Sequence, residues 1–257
     1  MRSDTNFNGM AEPFEREIYG SSKGYVRLNV LWEDMVSEIP RLRRGALRIL
    51  DAGGGAGHMA VRLAKLGNKV VLCDPSQEML SMAANRARQE SVEGLVTIVQ
   101  SSIHDLRSAV TGRFDVITCH AVLEWLADPG AALGHLVKLL TRDGHLSLMF
   151  YNRNAALLKR IIRGDFATQH DYGEGTTPSG PDSPVPLDEQ TIREWLERLG
   201  MRVVSKAGIR IFRDILAVDV NQERLPDLLR VEKELRKQEP FASIGQHVHL
   251  VCVRAKK

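Results

Sequence analysis

A chain of 257 residues, 43% hydrophobic and 26% charged, carries enough apolar material for one large globular domain. Its first residues hold no apolar signal core, no apolar run reaches the length of a membrane span, and Cys73, Cys119 and Cys252 have no metal-ligand spacing. These features exclude a disulfide scaffold and an integral membrane protein, and they predict a cytoplasmic protein with reduced thiols and no metal. The net charge of +3 sits in the second half: residues 1–150 carry 17 basic and 17 acidic side chains, residues 151–257 carry 18 and 15. Two stretches there contain bases and no acids, 151–164 (Arg153, Lys159, Arg160, Arg163) and 198–213 (Arg198, Arg202, Lys206, Arg210, Arg213). A run of this kind is either a solvated face or a phosphate-binding surface.

In chain order, residues 1–13 read as a polar, frayed start, and 18–24 as a glycine-punctuated turn holding Tyr19 and Lys23. The spacing of Leu28, Leu31, Trp32, Met35 and Ile39 predicts a helix over 24–39. Arg27 falls just off that stripe, bordering the buried face, where a cation can reach a ligand. Then comes Arg48-Ile49-Leu50-Asp51-Ala52-Gly53-Gly54-Gly55-Ala56-Gly57-His58: an apolar strand, an acid, a glycine cluster and a helix. Glycines let the backbone approach a ligand closely, and the helix start points unpaired N–H groups at it. A dinucleotide fingerprint beginning at Gly53 needs a glycine at position 58, which is His58. An acid two residues before the first glycine would repel a pyrophosphate and attract an ammonium.

Residues 69–74 form a second buried strand ending in Asp74, about 20 positions beyond Gly53, the interval at which a β-α-β unit places a carboxylate on a ribose. Pro75-Ser76 opens a helix with Met79, Leu80, Ala83, Ala84 and Ala87 inward. Strands follow over 96–100 and 114–120. His120, at the tip of the latter, is placed to touch a cofactor, to act as a base or to pack at the strand end. Asp128-Pro129 caps the next helix, whose buried stripe is Leu133, Leu136, Val137 and Leu140. A fifth strand covers 144–152 and a short basic helix 155–162. Residues 173–186 hold three glycines and four of the ten prolines, an inserted loop or lid. Asp188 caps a helix with a Leu187/Ile192 staple and Gly200 as its stop. Strands over 201–212 and 247–254 enclose a helix over 225–237. The pattern is α/β: a doubly wound, Rossmann-like, seven-stranded mixed sheet. It forms a single domain over 1–257, with an N-terminal helical extension about 14–45 and an insertion about 153–186.

Asp51-x-Gly53-x-Gly55-x-Gly57 resembles the first motif of class I S-adenosylmethionine-dependent methyltransferases. Six further stretches carry a narrower resemblance: Ile18-Tyr19-Gly20-Ser21-Ser22-Lys23-Gly24, Leu72-Cys73-Asp74, His120-Ala121-Val122-Leu123-Glu124-Trp125, Leu146-Ser147-Leu148-Met149-Phe150-Tyr151-Asn152, Gly208-Ile209-Arg210-Ile211-Phe212 and Gln238-Glu239-Pro240-Phe241. Together they resemble the bacterial tRNA 5-carboxymethoxyuridine methyltransferases, from about Phe14 to Arg254. The resemblance implies that S-adenosyl-L-methionine methylates the wobble-uridine carboxylate in the anticodon stem-loop of tRNA, without metal or membrane, in a protein expected to be monomeric. Carried over by position, the cofactor contacts are Arg27, Gly53, Gly54, Asp74, Ile103 and His120. Ser102 stands where many class I enzymes have an acid on the adenine amino group, so adenine contact is expected through backbone near Ile103, with Asp105 a secondary candidate. Family members carry a lysine-rich run after the fifth strand, whereas this chain reads Gly173-Glu174-Gly175-Thr176-Thr177-Pro178. A cation must hold the substrate carboxylate. Arg210 is the candidate, with Tyr19 or Tyr151 orienting the base, and an internal ion pair for Arg210 is the competing reading. Two other functions stay open: methylation of a small carboxylate or phenol, and cofactor binding by a non-enzymatic regulator.

Overall fold

Strand β1 (Arg48–Ala52) is apolar on both faces because it lies at the centre of a covered sheet. The computed structural model describes residues 3–166, 183–216 and 220–255. Around β1 stand β2 (Lys69–Asp74), β3 (Val96–Gln100), β4 (Phe114–His120), β5 (Leu140–Tyr151), β6 (Met201–Ile209) and β7 (His247–Arg254), in the spatial order β3-β2-β1-β4-β5-β7-β6. Strands β1 to β5 pair in parallel, and β7 runs antiparallel to both β5 and β6. The order reverses between β1 and β4, and in open α/β sheets ligands bind in the crevice beyond such a switch point.

Helices α1 (Ala11–Phe14) and α2 (Ser22–Glu38) flank a π-helical turn at Glu15–Tyr19. Next come α3 (His58–Ala64), α4 (Gln77–Gln89), α5 (Leu106–Ala109), α6 (Pro129–Leu139), α7 (Arg153–Ile162), α8 (Glu189–Arg198), α9 (Leu225–Leu235) and α10 (Phe241–Ile244). One apolar cluster packs α2, α3 and α4 on the sheet face carrying Met149 and Val251. The other packs α6 and α8 on the face carrying Leu148 and Leu250. The expected caps are present, since Ser76, Asp128 and Asp188 accept from Met79, Ala131 and Thr191 N–H.

Several boundaries differ from the sequence reading, each for a physical reason. Helix α2 is rotated from the predicted stripe: Val26, Arg27, Val30, Leu31, Asp34 and Met35 are buried, while Leu28 and Trp32 are half-buried. Two polar residues with partners inside occupy the buried face, and apolar periodicity does not see them. Leu140 opens β5 instead of closing α6, pairing with Phe114 before a register shift. Strand β6 stops at Ile209 because Arg210 takes φ 60°, a left-handed conformation that ends a strand. The start of the chain is not frayed over 3–13. Phe7 packs edge-on against Phe14 and Trp125, and Thr5 N–H donates to the Trp125 carbonyl at 3.1 Å. The glycine- and proline-rich loop falls largely outside the described residues, as does the 173–178 departure. No described helix is long and apolar enough to cross a membrane.

Candidate active site

The tips of β1, β2 and β4 open into a cavity of about 260 Å³, roofed by residues 4–7 and Phe14. Its floor is the glycine turn. Gly53 has φ 67°, and a Cβ there would stand 2.6 Å from Val122 Cγ2, so neither the conformation nor the space admits a side chain. Gly54 is hemmed in on the other side, its missing Cβ 2.8 Å from Asp51 Oδ2. The turn is pinned by Gly53 and Gly54 N–H donating to the Cys73 carbonyl, and by Gly55 N–H donating to Asp74 Oδ2 at 3.0 Å.

Two buried acids stand at this turn with different jobs. Asp74 accepts from Gly55 and Ser76 N–H, one on each oxygen, which leaves a lone pair on each for a ligand hydroxyl. Burial raises its pKa. Asp51 accepts the Thr118 hydroxyl on Oδ1 at 2.7 Å, whereas its buried Oδ2 has no hydrogen-bond partner among the described residues. Burial pushes this carboxyl up to about 6, Asp74 adds to the rise, and Thr118 and the Ala60 N–H work against it. A carboxylate so placed is short of positive charge. The ammonium of S-adenosylmethionine supplies that, its ribose suits Asp74, and the Gly53–Gly54 cradle admits its backbone-sized parts, so the residues present fit the cofactor.

Around this floor the cavity gathers most of the residues singled out from the sequence. Ser101, Ser102 and Ile103 line it beyond β3. Asp105 does not, since its carboxylate accepts the Ser102 hydroxyl at 2.7 Å. His120 lines the cavity with Nε2 2.8 Å from Ser147 Oγ, and burial holds its pKa well below the usual value. Arg27 does not merely border the buried face: it is 5% exposed, with its guanidinium 4.6 Å from the centre of the Tyr19 ring. Tyr19 also stacks on His58, at 3.9 Å and 17°. His58 is held in turn by Glu15, 2.8 Å from its Nε2.

Arg210 and Tyr151 stand in a neighbouring cluster rather than on the cavity wall. Arg210 forks onto Asp214, Nε to Oδ2 at 2.8 Å and Nη2 to Oδ1 at 2.5 Å, so the internal ion pair is present. Lys159 Nζ lies 3.4 Å from the same carboxylate. Burial lowers the Arg210 pKa, and Asp214 opposes that. The turn is fixed by Glu232, which accepts the N–H groups of Ile211, Phe212 and Arg213. Glu124, pushed up to about 7 by burial, lies between the two groups, under the influence of both Tyr151 N–H and Arg27.

Sequence reasoning missed Asp214, the Tyr19–His58 stack and the roof. Only the roof had a local signal, the apolar Phe7, Met10 and Phe14 at helical spacing. Among the described residues there is no cluster of three or more His, Cys, Asp or Glu suited to a metal ion.

Comparison with known proteins agrees with this geometry. A family profile described as "Methyltransferase domain" matches residues 50–148, from β1 to β5. The magnesium protoporphyrin IX methyltransferase of Synechocystis PCC 6803, whose crystal structure holds SAH, is similar in fold with a TM-score of 0.65 over 97% of this chain and 96% of that one, at 19% identity. A ubiquinone biosynthesis O-methyltransferase from Xanthomonas oryzae pv. oryzae (strain PXO99A) is 33% identical over 56% of this chain and 59% of its own length. The tRNA 5-carboxymethoxyuridine methyltransferase of Escherichia coli (strain K12) is 36% identical over 97% of this chain and 96% of its own. With that likeness covering 97% of its length, the chain belongs to the tRNA 5-carboxymethoxyuridine methyltransferase family of S-adenosylmethionine-dependent enzymes.

Proposed function

We propose that this protein methylates the carboxylate of 5-carboxymethoxyuridine at the wobble position of tRNA, forming the methyl ester. The observation that carries the reading is a surplus of positive charge next to the cofactor cavity. Asp214 faces Arg210, Lys159 and Lys23, and Glu232 also acts on Arg210, two acids against three bases. Arg27, on the cavity wall, is near enough to act on both Arg210 and His247 and brings the bases to four. A carboxylate brought by the substrate offsets part of this excess. Asp214 takes two of the five guanidinium N–H groups of Arg210 and orients the fork, leaving three donors for it.

The chemistry asks for few groups. A substrate carboxylic acid of pKa about 4 is already ionised at neutral pH, so no general base is required. S-adenosylmethionine supplies an electrophilic methyl on a sulfonium. The chain then has to align two reactants, and effective molarity from such alignment is worth roughly 7–11 kcal/mol. Asp74 holds the ribose hydroxyls, backbone at Ile103 meets the adenine, and Asp51 and His120 face the ammonium. Arg27, immobilised over Tyr19, pairs with the methionine carboxylate. Arg210 holds the substrate carboxylate, and Tyr19 or Tyr151 orients the modified base.

Nucleoside mass spectrometry of tRNA from a strain lacking the gene tests the function. Free 5-carboxymethoxyuridine should accumulate and its ester disappear; an unchanged profile rejects the assignment. With purified protein, Arg210→Ala should raise the KM for tRNA at least tenfold and leave S-adenosylhomocysteine affinity within twofold, on the order of one lost charged hydrogen bond. Loss of both would remove Arg210 from the substrate site. Efficient methylation of a small carboxylate or phenol with no tRNA present would favour the small-molecule reading instead.

A further inference from the structure

Asp34 of α2, His249 of β7 and Ser147 of β5 are fully buried and lie outside the cavity wall. Asp34 Oδ2 is 2.7 Å from His249 Nδ1, His249 Nε2 is 2.8 Å from Ser147 Oγ, and Ser147 Oγ is 2.8 Å from His120 Nε2. The first three have the contacts of a hydrolase triad. Here, however, the serine has no exposed surface and its oxygen already meets a second imidazole, so no acyl group reaches it. The row ends instead on His120, a ring that lines the cofactor cavity.

Proton placement follows from Asp34. Burial works to raise its pKa, but His249, Lys237 and Arg236 hold it at about 2, so it is an ionised acceptor. His249 therefore carries a proton on Nδ1. Arg236 and Lys237 already pair with Asp34 Oδ1, so the carboxylate needs no further cation. With its proton on Nδ1, His249 presents the Nε2 lone pair to the Ser147 hydroxyl, and Ser147 Oγ accepts in turn from His120 Nε2–H. His120 is left with a lone pair on Nδ1. That atom is buried and has no partner among the described residues, a cost that a donor on a ligand removes. The methionine end of the cofactor has one donor group, its ammonium.

We propose that Asp34, His249 and Ser147 are positioning residues that hold His120 in its Nε2–H tautomer, so that His120 Nδ1 accepts a hydrogen bond from the cofactor ammonium. The inference rests on His120 as a cofactor contact and adds what fixes its orientation and polarity. Helix α2 serves the site twice: Arg27 and Asp34, two turns apart, both face inward, one to the cavity and one to the relay.

Ser147→Ala breaks the row without altering the cavity wall. Calorimetric titration compares S-adenosylhomocysteine with 5′-methylthioadenosine, which lacks the amino acid end. S-adenosylhomocysteine should bind about tenfold more weakly to the variant, with 5′-methylthioadenosine unchanged, as expected for one interaction with a charged group. Two-bond proton–nitrogen NMR spectra of the wild type should show His120 protonated at Nε2. Equal losses for both ligands, no loss, or a wild-type His120 protonated at Nδ1 would overturn the relay. His120→Phe separates the two layers. A selective loss there beside an inert Ser147→Ala rejects the relay alone, whereas no loss in either variant rejects the contact as well. Should Ser147→Ala not fold, Asp34→Asn, which keeps the shape and lets the row reverse, is read by the same titration.

Discussion

Asp51 shows what a binding site costs a fold before its ligand arrives. Its carboxyl is buried, is pushed up to about 6, and has one oxygen without a partner among the described residues. An acid whose folded pKa exceeds its unfolded value binds more protons when folded, so its contribution to stability falls as pH rises. The window runs from the ordinary 3.8 to about 6, and the penalty above it is on the order of 2–3 kcal/mol. Asp51→Asn removes the charge and keeps the shape. At pH 7.5 the ligand-free variant should melt several degrees above the wild type, at roughly 2–4 °C per kcal/mol for a chain of this size. The gap should close as pH is lowered towards 4, because the wild-type acid is then protonated too. Affinity for S-adenosylhomocysteine should fall at least tenfold, since the ammonium loses its counter-charge, about 1.4 kcal/mol or more. Paired melting curves and titrations decide the matter: a variant that binds normally, or melts lower at pH 7.5, refutes this role.

Among the elements, the N-terminal segment over 4–19 is the one whose importance was least visible. It crosses the cavity mouth and is tied at several points. Ala127 N–H donates to Asp4, Gly9 N–H donates to Glu78, the Ser76 hydroxyl donates to Asn8, and Glu15 bridges His58 and Arg86. Each tie is exposed or half-buried and individually weak, so the roof can lift without unfolding the sheet. Phe7→Ala removes the two edge-on ring contacts at its centre, each worth about 0.5–1.5 kcal/mol. Stopped-flow displacement should then show S-adenosylhomocysteine leaving about tenfold faster while the apo melting point moves by only a few degrees. An unchanged off-rate would mean that the segment is not a gate. The central strands β1, β2 and β4, by contrast, were legible from sequence, because burial on both faces writes each as a nearly continuous apolar run. So was the glycine turn, where φ and close contact leave few alternatives. Helix α2 misled because Arg27 and Asp34 face inward, and the partners of Asp34 lie far away in the chain. His249 lies 215 positions from Asp34, and no local pattern announces such a pair. The Arg210–Asp214 fork is local but hid for another reason: at a spacing of four after a strand, nothing signalled the turn that brings the two together.

At the scale of the whole molecule, the two acid-free stretches part company. The parallel strands end at the cavity, and α7, capped by Asn152 just after Tyr151, carries Arg153, Lys159 and Arg160 at that end, with Arg163 at its C-cap. Strand β6 runs from Met201, paired with Arg254, to Ile209, paired with His247, and His247 also pairs with Tyr151. Arg210 therefore lies at the cavity end, and Arg198 and Arg202 lie at the opposite end of the sheet. A tRNA whose wobble base enters the site meets α7 and not Arg198 or Arg202. Three of the α7 bases have acids nearby, Arg153 with Asp188, Lys159 with Asp214 and Arg160 with Asp165, so phosphates compete with those pairs. If these three and Arg163 all meet phosphates, log K should fall against log salt with a slope near −3. Arg163→Ala should flatten that slope by about 0.7–0.9, one phosphate contact, while Arg198→Ala and Arg202→Ala leave it alone. Filter-binding isotherms between 50 and 200 mM salt, about the range over which counterion release is read, make the comparison. A slope that responds to Arg198 or Arg202 and ignores Arg163 would put the tRNA on the wrong end of the sheet, and the substrate carboxylate could not then reach Arg210.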